Sequence, residues 1–189
     1  MKKIITIIAA FVLVGCGGPS MSYEDALNTQ NIEELKLHIA AGGDVNRMIV
    51  NGPVVRTPLY YAAMGRHNEL VGILIDAGAD VNVKYDDGPL LHLAVWQGMK
   101  STIEILIEKG ADVNAMDING NTPLHIAAPS GNDLYLVKLL VNKGADVNAI
   151  NSLGHTPLDS ITQLTNQDMA DLLRKHGGKT GEELKAEGK

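Results

Sequence analysis

The chain of 189 residues is short of the side chains that usually build reactive centres or thick cores. It has one cysteine, Cys16, which excludes an intrachain disulfide, a cysteine-based zinc site and a Cys-x-x-Cys redox pair. It has one phenylalanine, Phe11, and one tryptophan, Trp96, and aromatics make up only 4% of it. The core must therefore come from Ala, Leu, Ile and Val, which suits thin, close-packed helices better than a large β-sandwich. Positive charge is also scarce, with 16 Lys and Arg against 22 Asp and Glu and a net charge of −6. An acidic surface repels phosphate backbones, and the densest basic spot, Arg174-Lys175 with Lys179, lies beside Glu182 and Glu183. Nucleic acid is not an expected partner.

The first residues read as a leader. Met1-Lys2-Lys3 is basic, and the apolar run Ile4 to Val14 is too short for a bilayer, which needs about 20 residues. It ends in Leu13-Val14-Gly15-Cys16. This resembles the lipobox of bacterial lipoproteins. The resemblance implies that residues 1–15 are a signal peptide, that the Cys16 thiol carries lipid, palmitate-type chains included, and that Cys16 becomes the new N-terminus. Gly17 stands where an Asp would favour retention at the inner membrane, so the implied site is the outer membrane, facing the periplasm. Residues 16–22 then read as the lipidated cysteine and a flexible linker. Six residues reach at most about 20 Å, so the folded part stays near the membrane.

The rest repeats itself. Asp-Val-Asn occurs at Asp44, Asp80, Asp112 and Asp146, at intervals of 36, 32 and 34 residues, each time after Gly-Gly or Gly-Ala. A second marker is Thr122-Pro123-Leu124-His125-Ile126-Ala127, with variants starting at Thr57, Pro89 and Thr156. Thr before Pro is a helix start, because Thr caps free N–H groups and Pro at the first position loses no hydrogen bond. Leu136-Val137-Lys138-Leu139-Leu140 gives a second helix with one apolar stripe, and Gly144 supplies its left-handed stop. Each unit is helix, turn, helix, loop. None can bury its apolar faces alone, so the units stack.

The two markers together resemble the ankyrin repeat, whose signature is T-P-L-H-x-A. The resemblance implies an all-α ankyrin-repeat solenoid with hairpin-like loops over residues 23–178. These comprise a cap to Asn46, three full repeats ending at Asn82, Asn114 and Asn148, and a closing unit. Residues 179–189 read as a charged C-terminal tail, a short helix or a frayed end. The finger over Arg47–Arg56 is about three residues longer than usual, the one before Pro89 is about one shorter, and Asp159 replaces the usual His.

Searches for chemistry return nothing. There is no G-x-S-x-G, H-E-x-x-H or G-x-G-x-x-G. Gly178-Lys179-Thr180 has the end of a P-loop but Leu173 in place of its first glycine. Asp117-Ile118-Asn119-Gly120 has its glycine too early for a calcium loop. His92 and His125, on neighbouring repeats, sit too far apart to share a zinc ion and read as ties to loop backbone. No catalytic residue, metal, cofactor or small-molecule substrate is expected.

The resemblance implies a protein partner bound along loop tips and inner helices. Carried over by motif, the contact residues are Met64, Tyr85, Asp86, Trp96, Gln97, Met116, Ile118, Asn119 and Leu153. The expected function is a non-catalytic protein–protein interaction module held by lipid in the bacterial envelope. The alternative is an accessory subunit that stabilises or regulates a periplasmic enzyme. An enzyme with an unrecognised site ranks behind both.

Overall fold

The computed structural model describes residues 18–51, 54–129, 133–161 and 167–188. The leader and Cys16 lie outside these residues, as does Ser130 in the turn after α7. The chain divides into two compact units, residues 1–80 and 81–189.

The first unit contains α1 (Tyr23–Asn28), α2 (Ile32–Ala40), β1 (Ile49–Asn51), β2 (Val54–Arg56), α3 (Pro58–Met64) and α4 (Asn68–Asp76). Side-chain oxygens start three of its helices. Ser22 accepts from the Asp25 N–H at 3.0 Å, Asn31 from Glu34 at 3.2 Å, and Thr57 from Tyr60 at 3.4 Å, with Pro58 at the first position. The turns inside the helix pairs place Gln30 (φ 56°) and Arg66 (φ 61°) in the left-handed region, where the next pair has Gly98. Leu35, Leu59, Ala63, Val71 and Leu74 are fully buried. In α4, Leu70, Val71 and Leu74 recur at helical spacing on the inward stripe.

The second unit contains β3 (Lys84–Tyr85), β4 (Gly88–Pro89), α5 (Leu90–Trp96), α6 (Lys100–Glu108), α7 (Pro123–Ala127), α8 (Leu134–Asn142), α9 (Gln167–Lys175) and α10 (Gly181–Ala186). Its core is Ala94, Ile103, Leu106, Leu124, Val137, Leu140, Met169 and Leu173, all fully buried. As expected from composition, the core is mostly aliphatic, with Met99 and Met169 also buried. The all-α expectation holds, and among the described residues strands are confined to two small antiparallel hairpins in the fingers.

Three expectations are corrected. Residues 16–22 were expected to form a flexible linker, but Ser20 donates its N–H to Glu34 Oε2 at 2.8 Å and its hydroxyl to Glu34 Oε1. The Met21 carbonyl lies 2.6 Å from His38 Nε2, so the segment is tied to α2 from Ser20 onward. The closing unit was expected to open with a helix, but residues 157–160 form turns. The boundary drawn at 178 also moves. Thr180 and Glu183 form a capping box that starts α10, and Leu184 is buried, so residues 180–186 belong to the fold rather than to a tail.

Candidate interaction surface

The fingers are held by a ladder that the sequence reading missed. Each Asn of the Asp-Val-Asn marker reaches into the next repeat. Asn46 donates to Gly78 O at 3.0 Å and accepts from the Asp80 N–H at 2.8 Å. In the second unit Asn82 does the same to Gly110 and Asp112, Asn114 to Gly144 and Asp146, and Asn148 to Gly177 and Lys179. An amide side chain is the group that can donate to a carbonyl and accept from an N–H at once. The preceding Asp folds the local turn, as Asp112 accepts from the Asn114 N–H at 2.8 Å. The fourfold recurrence of the marker is the ladder's signal in the sequence, which by itself suggests only a turn.

The histidines tie helices to fingers, as expected. His92 Nε2 lies 2.8 Å from Asn121 O, and His125 Nε2 lies 3.1 Å from His155 O. The His125 Nδ1 accepts from the Thr122 N–H at 3.1 Å, which fixes a neutral ring donating through Nε2. Burial pushes the pKa of both rings down. In the closing unit Asp159 can only accept, so its partners change from a carbonyl to N–H groups, those of Thr156 (2.8 Å) and Gly181 (2.7 Å). Burial works to raise the Asp159 pKa, but these bonds outweigh it and leave it lowered. Among the described residues no group of three or more His, Cys, Asp or Glu could hold a metal ion.

Two fingers of the second unit fold alike. Asp117 accepts from the Asn119 and Asn121 N–H groups, and Asn151 from those of Leu153 and His155. The fingers also join, through Ser152 N–H to Asn119 O at 3.0 Å and Asn151 Nδ2 to Asn121 Oδ1 at 2.8 Å. This register pairs Asn119 with Leu153 and Ile118 with Ser152. It also pairs Met116 with Ile150, a residue absent from the expected set although Ala115-Met116-Asp117 and Ala149-Ile150-Asn151 are parallel in sequence. The result is an apolar row in solvent, with Met116 48%, Ile118 81%, Ile150 44% and Leu153 77% exposed. Trp96, at the end of α5 in the same unit, is 73% exposed. Asp86, Gln97 and Asn119 are exposed as well, whereas Met64, in the first unit, is half-buried.

Tyr85 is a correction. It occupies the slot of Asp117 and Asn151, but its finger is one residue shorter and closes as a two-residue hairpin, with Tyr85 opposite Gly88. Its side chain turns inward and is buried, so it is not a surface contact. The exposed tip is Asp86-Asp87.

In the first unit a cavity of about 320 Å³ lies between α1, the β1–β2 hairpin and the α3–α4 pair, lined by Leu27, Ile49, Tyr61, His67 and Leu70 among others. The buried Tyr61 hydroxyl has no hydrogen-bond partner.

Repeated helix pairs, fingers stitched by asparagine and an open apolar row define a repeat protein that acts by binding. The model of ankyrin repeats matches residues 24–117 and 91–183, and the chain belongs to that family. It is 35% identical over 97 residues to the E3 ubiquitin-protein ligase KEG of Arabidopsis thaliana, covering 51% of this chain and 6% of that protein. It is 39% identical over 113 residues to ankyrin repeat and SOCS box protein 5 of Oryctolagus cuniculus, covering 59% and 33%. An ankyrin repeat protein of fowlpox virus is 31% identical over 116 residues, covering 61% and 78%. The chain thus spans a third or less of the length of the first two relatives. What they share with it is the ankyrin region, a protein–protein interaction module.

Proposed function

We propose that this chain binds another protein through the apolar row Met116, Ile118, Ile150 and Leu153 and through Trp96, with Gln97 and Asn119 as polar neighbours, and does so from a lipid anchor at Cys16 in a bacterial envelope. The observation that carries the binding surface is the exposure of Ile118, Leu153 and Trp96 in a scaffold whose other large apolar side chains are mostly buried. The two fingers that carry the row are hydrogen-bonded to each other. Exposed apolar patches of this kind mark interaction sites, and Trp is a favoured hot spot. The acidic tip Asp86-Asp87 gives the unit a preference for a partner with basic groups around an apolar centre. Met64 is a weaker contact, since half of it is already covered.

The anchor rests on Leu13-Val14-Gly15-Cys16 and on the basic, then apolar, leader before it. Diacylation of the thiol gives essentially permanent attachment where one chain would bind marginally. The location is then the outer membrane, facing the periplasm.

The test pairs two variants. Ile118→Asp with Leu153→Asp removes the row without touching the core. Partner affinity should fall about 30-fold or more, the effect of losing about 2 kcal/mol, while the melting temperature stays near that of the parent. Unchanged affinity overturns the surface. Cys16→Ser should abolish lipid labelling and membrane partitioning, and labelling that persists overturns the anchor.

A further inference from the structure

We propose that the outer face of the β1–β2 hairpin is a second membrane contact, laid on a lipid surface beside the anchored N-terminus. This rests on the lipid-anchor reading of Cys16. Val50 and Val55 are direct antiparallel partners, so their side chains share one face. Met48, two residues before Val50, falls on the same side of an extended chain. The three are 71%, 40% and 54% exposed. The basic residues that flank the hairpin are drawn away from this face. Arg47 pairs with Glu24 at 2.7 Å and stacks over the Tyr23 ring, and Arg56 is buried with its guanidinium 5.2 Å from the Tyr60 ring centre. Among the described residues of the hairpin this face shows Met48, Val50 and Val55 and no charged side chain.

The tether points to lipid rather than protein as the occupant. Ser20 is bonded to Glu34 on α2, and the four residue steps from Cys16 to Ser20 reach at most about 14 Å. From there a short series of contacts runs to the base of the hairpin. Met21 meets His38, the His38 ring packs on Tyr23 at 5.6 Å, and the Arg47 guanidinium lies 5.6 Å from the centre of the Tyr23 ring. Met48 follows directly. With acyl chains in the bilayer at Cys16, this face is held within reach of the lipid headgroups. The next finger, in the second unit, carries Lys84, Asp86 and Asp87 instead, so the apolar extension belongs to the finger nearest the tether in sequence. Lipid chains and an apolar patch together are the two-signal form of membrane attachment, and the patch would orient the fold on the surface as well as hold it.

The experiment uses the full chain carrying Val50→Cys, with Val55→Cys in parallel. Acylation blocks the Cys16 thiol, so a polarity-sensitive fluorophore labels only the new one. The protein is reconstituted in phosphatidylethanolamine–phosphatidylglycerol vesicles with and without nitroxide-bearing lipid. Glu69→Cys, on exposed α4, is the control. The expected result is blue-shifted emission quenched by the nitroxide lipid at both hairpin positions, with water-like, unquenched emission at the control. Water-like emission at Val50→Cys in acylated, vesicle-bound protein overturns the contact while the anchor stands. A blue shift without lipid quenching means that protein covers the face and also overturns it. An N-terminal peptide of unmodified mass overturns the anchor, and the proposal with it.

Discussion

His92 and His125 hold the same slot in successive repeats and differ in one neighbour. Thr122 offers His125 Nδ1 both an N–H and a hydroxyl, at 3.1 and 2.9 Å. Pro89 offers His92 neither, and the buried His92 Nδ1 has no hydrogen-bond partner. A buried acceptor left unmade costs about 1–3 kcal/mol. Pro89→Thr restores the donors but frees the unfolded backbone, which gives back about 0.4–1 kcal/mol. The net expectation is a gain of about 1 kcal/mol, read as a higher midpoint in urea with an unchanged slope. Both rings also predict a pH dependence. Burial lowers their folded pKa values, so the unfolded chain takes up protons first. Their contribution is intact above the unfolded value of about 6.5 and is lost as pH falls from there through the folded values. Melting temperatures at pH 7.5 and 5.5 should differ, and the difference should shrink in His92→Gln. The histidine ties were legible from the T-P-L-H-x-A pattern. The orphaned nitrogen is half legible, since the variant starting at Pro89 lacks the Thr of the motif, while the effect on a ring three residues away needs the fold.

Among the elements, the ladder and the last helix carry stability that the sequence hid for different reasons. Asn114 bridges two repeats with two bonds, and Asn114→Ala removes both. The loss should be about 1–2 kcal/mol, measured by chemical unfolding, because each bond contributes about 1 kcal/mol where water can compete. Contacts 30 or so residues apart leave no local trace in sequence, whereas caps such as Thr57-Pro58 and stripes such as Leu136, Val137 and Leu140 do. For helix α10 the mostly charged, glycine-containing stretch Lys179 to Lys189 leaves a short helix and a frayed tail both open. Its capping box and the buried Leu184 decide for the helix. Arg174 and the Thr180 N–H hold the Glu183 carboxyl at about 2, well below the usual range, so this cap stays charged in mild acid. Truncation after Gly178 should cost about 2 kcal/mol or more from Leu184 alone and lower the melting temperature. A truncated chain that melts like the parent would make α10 an ornament.

At the scale of the molecule, each unit presents apolar side chains that its own fold does not use. Among the described residues no helix is long and apolar enough to cross a membrane. The sequence placed Trp96, Met116, Ile118 and Leu153 outside, and they are outside. It misplaced Tyr85, because a one-residue change in finger length shifts which residue forms the turn, and it omitted Ile150, although Ile150 holds the slot of Met116 in a finger that folds alike. The central claim is that the finger row of the second unit binds a protein. The most direct measurement is photo-crosslinking in living cells, with a photoreactive residue at position 118, at 153, or at exposed Lys138 on α8. The row predicts one discrete adduct from both 118 and 153 and none from 138. Adducts of equal yield from all three positions, or from 138 alone, would contradict it.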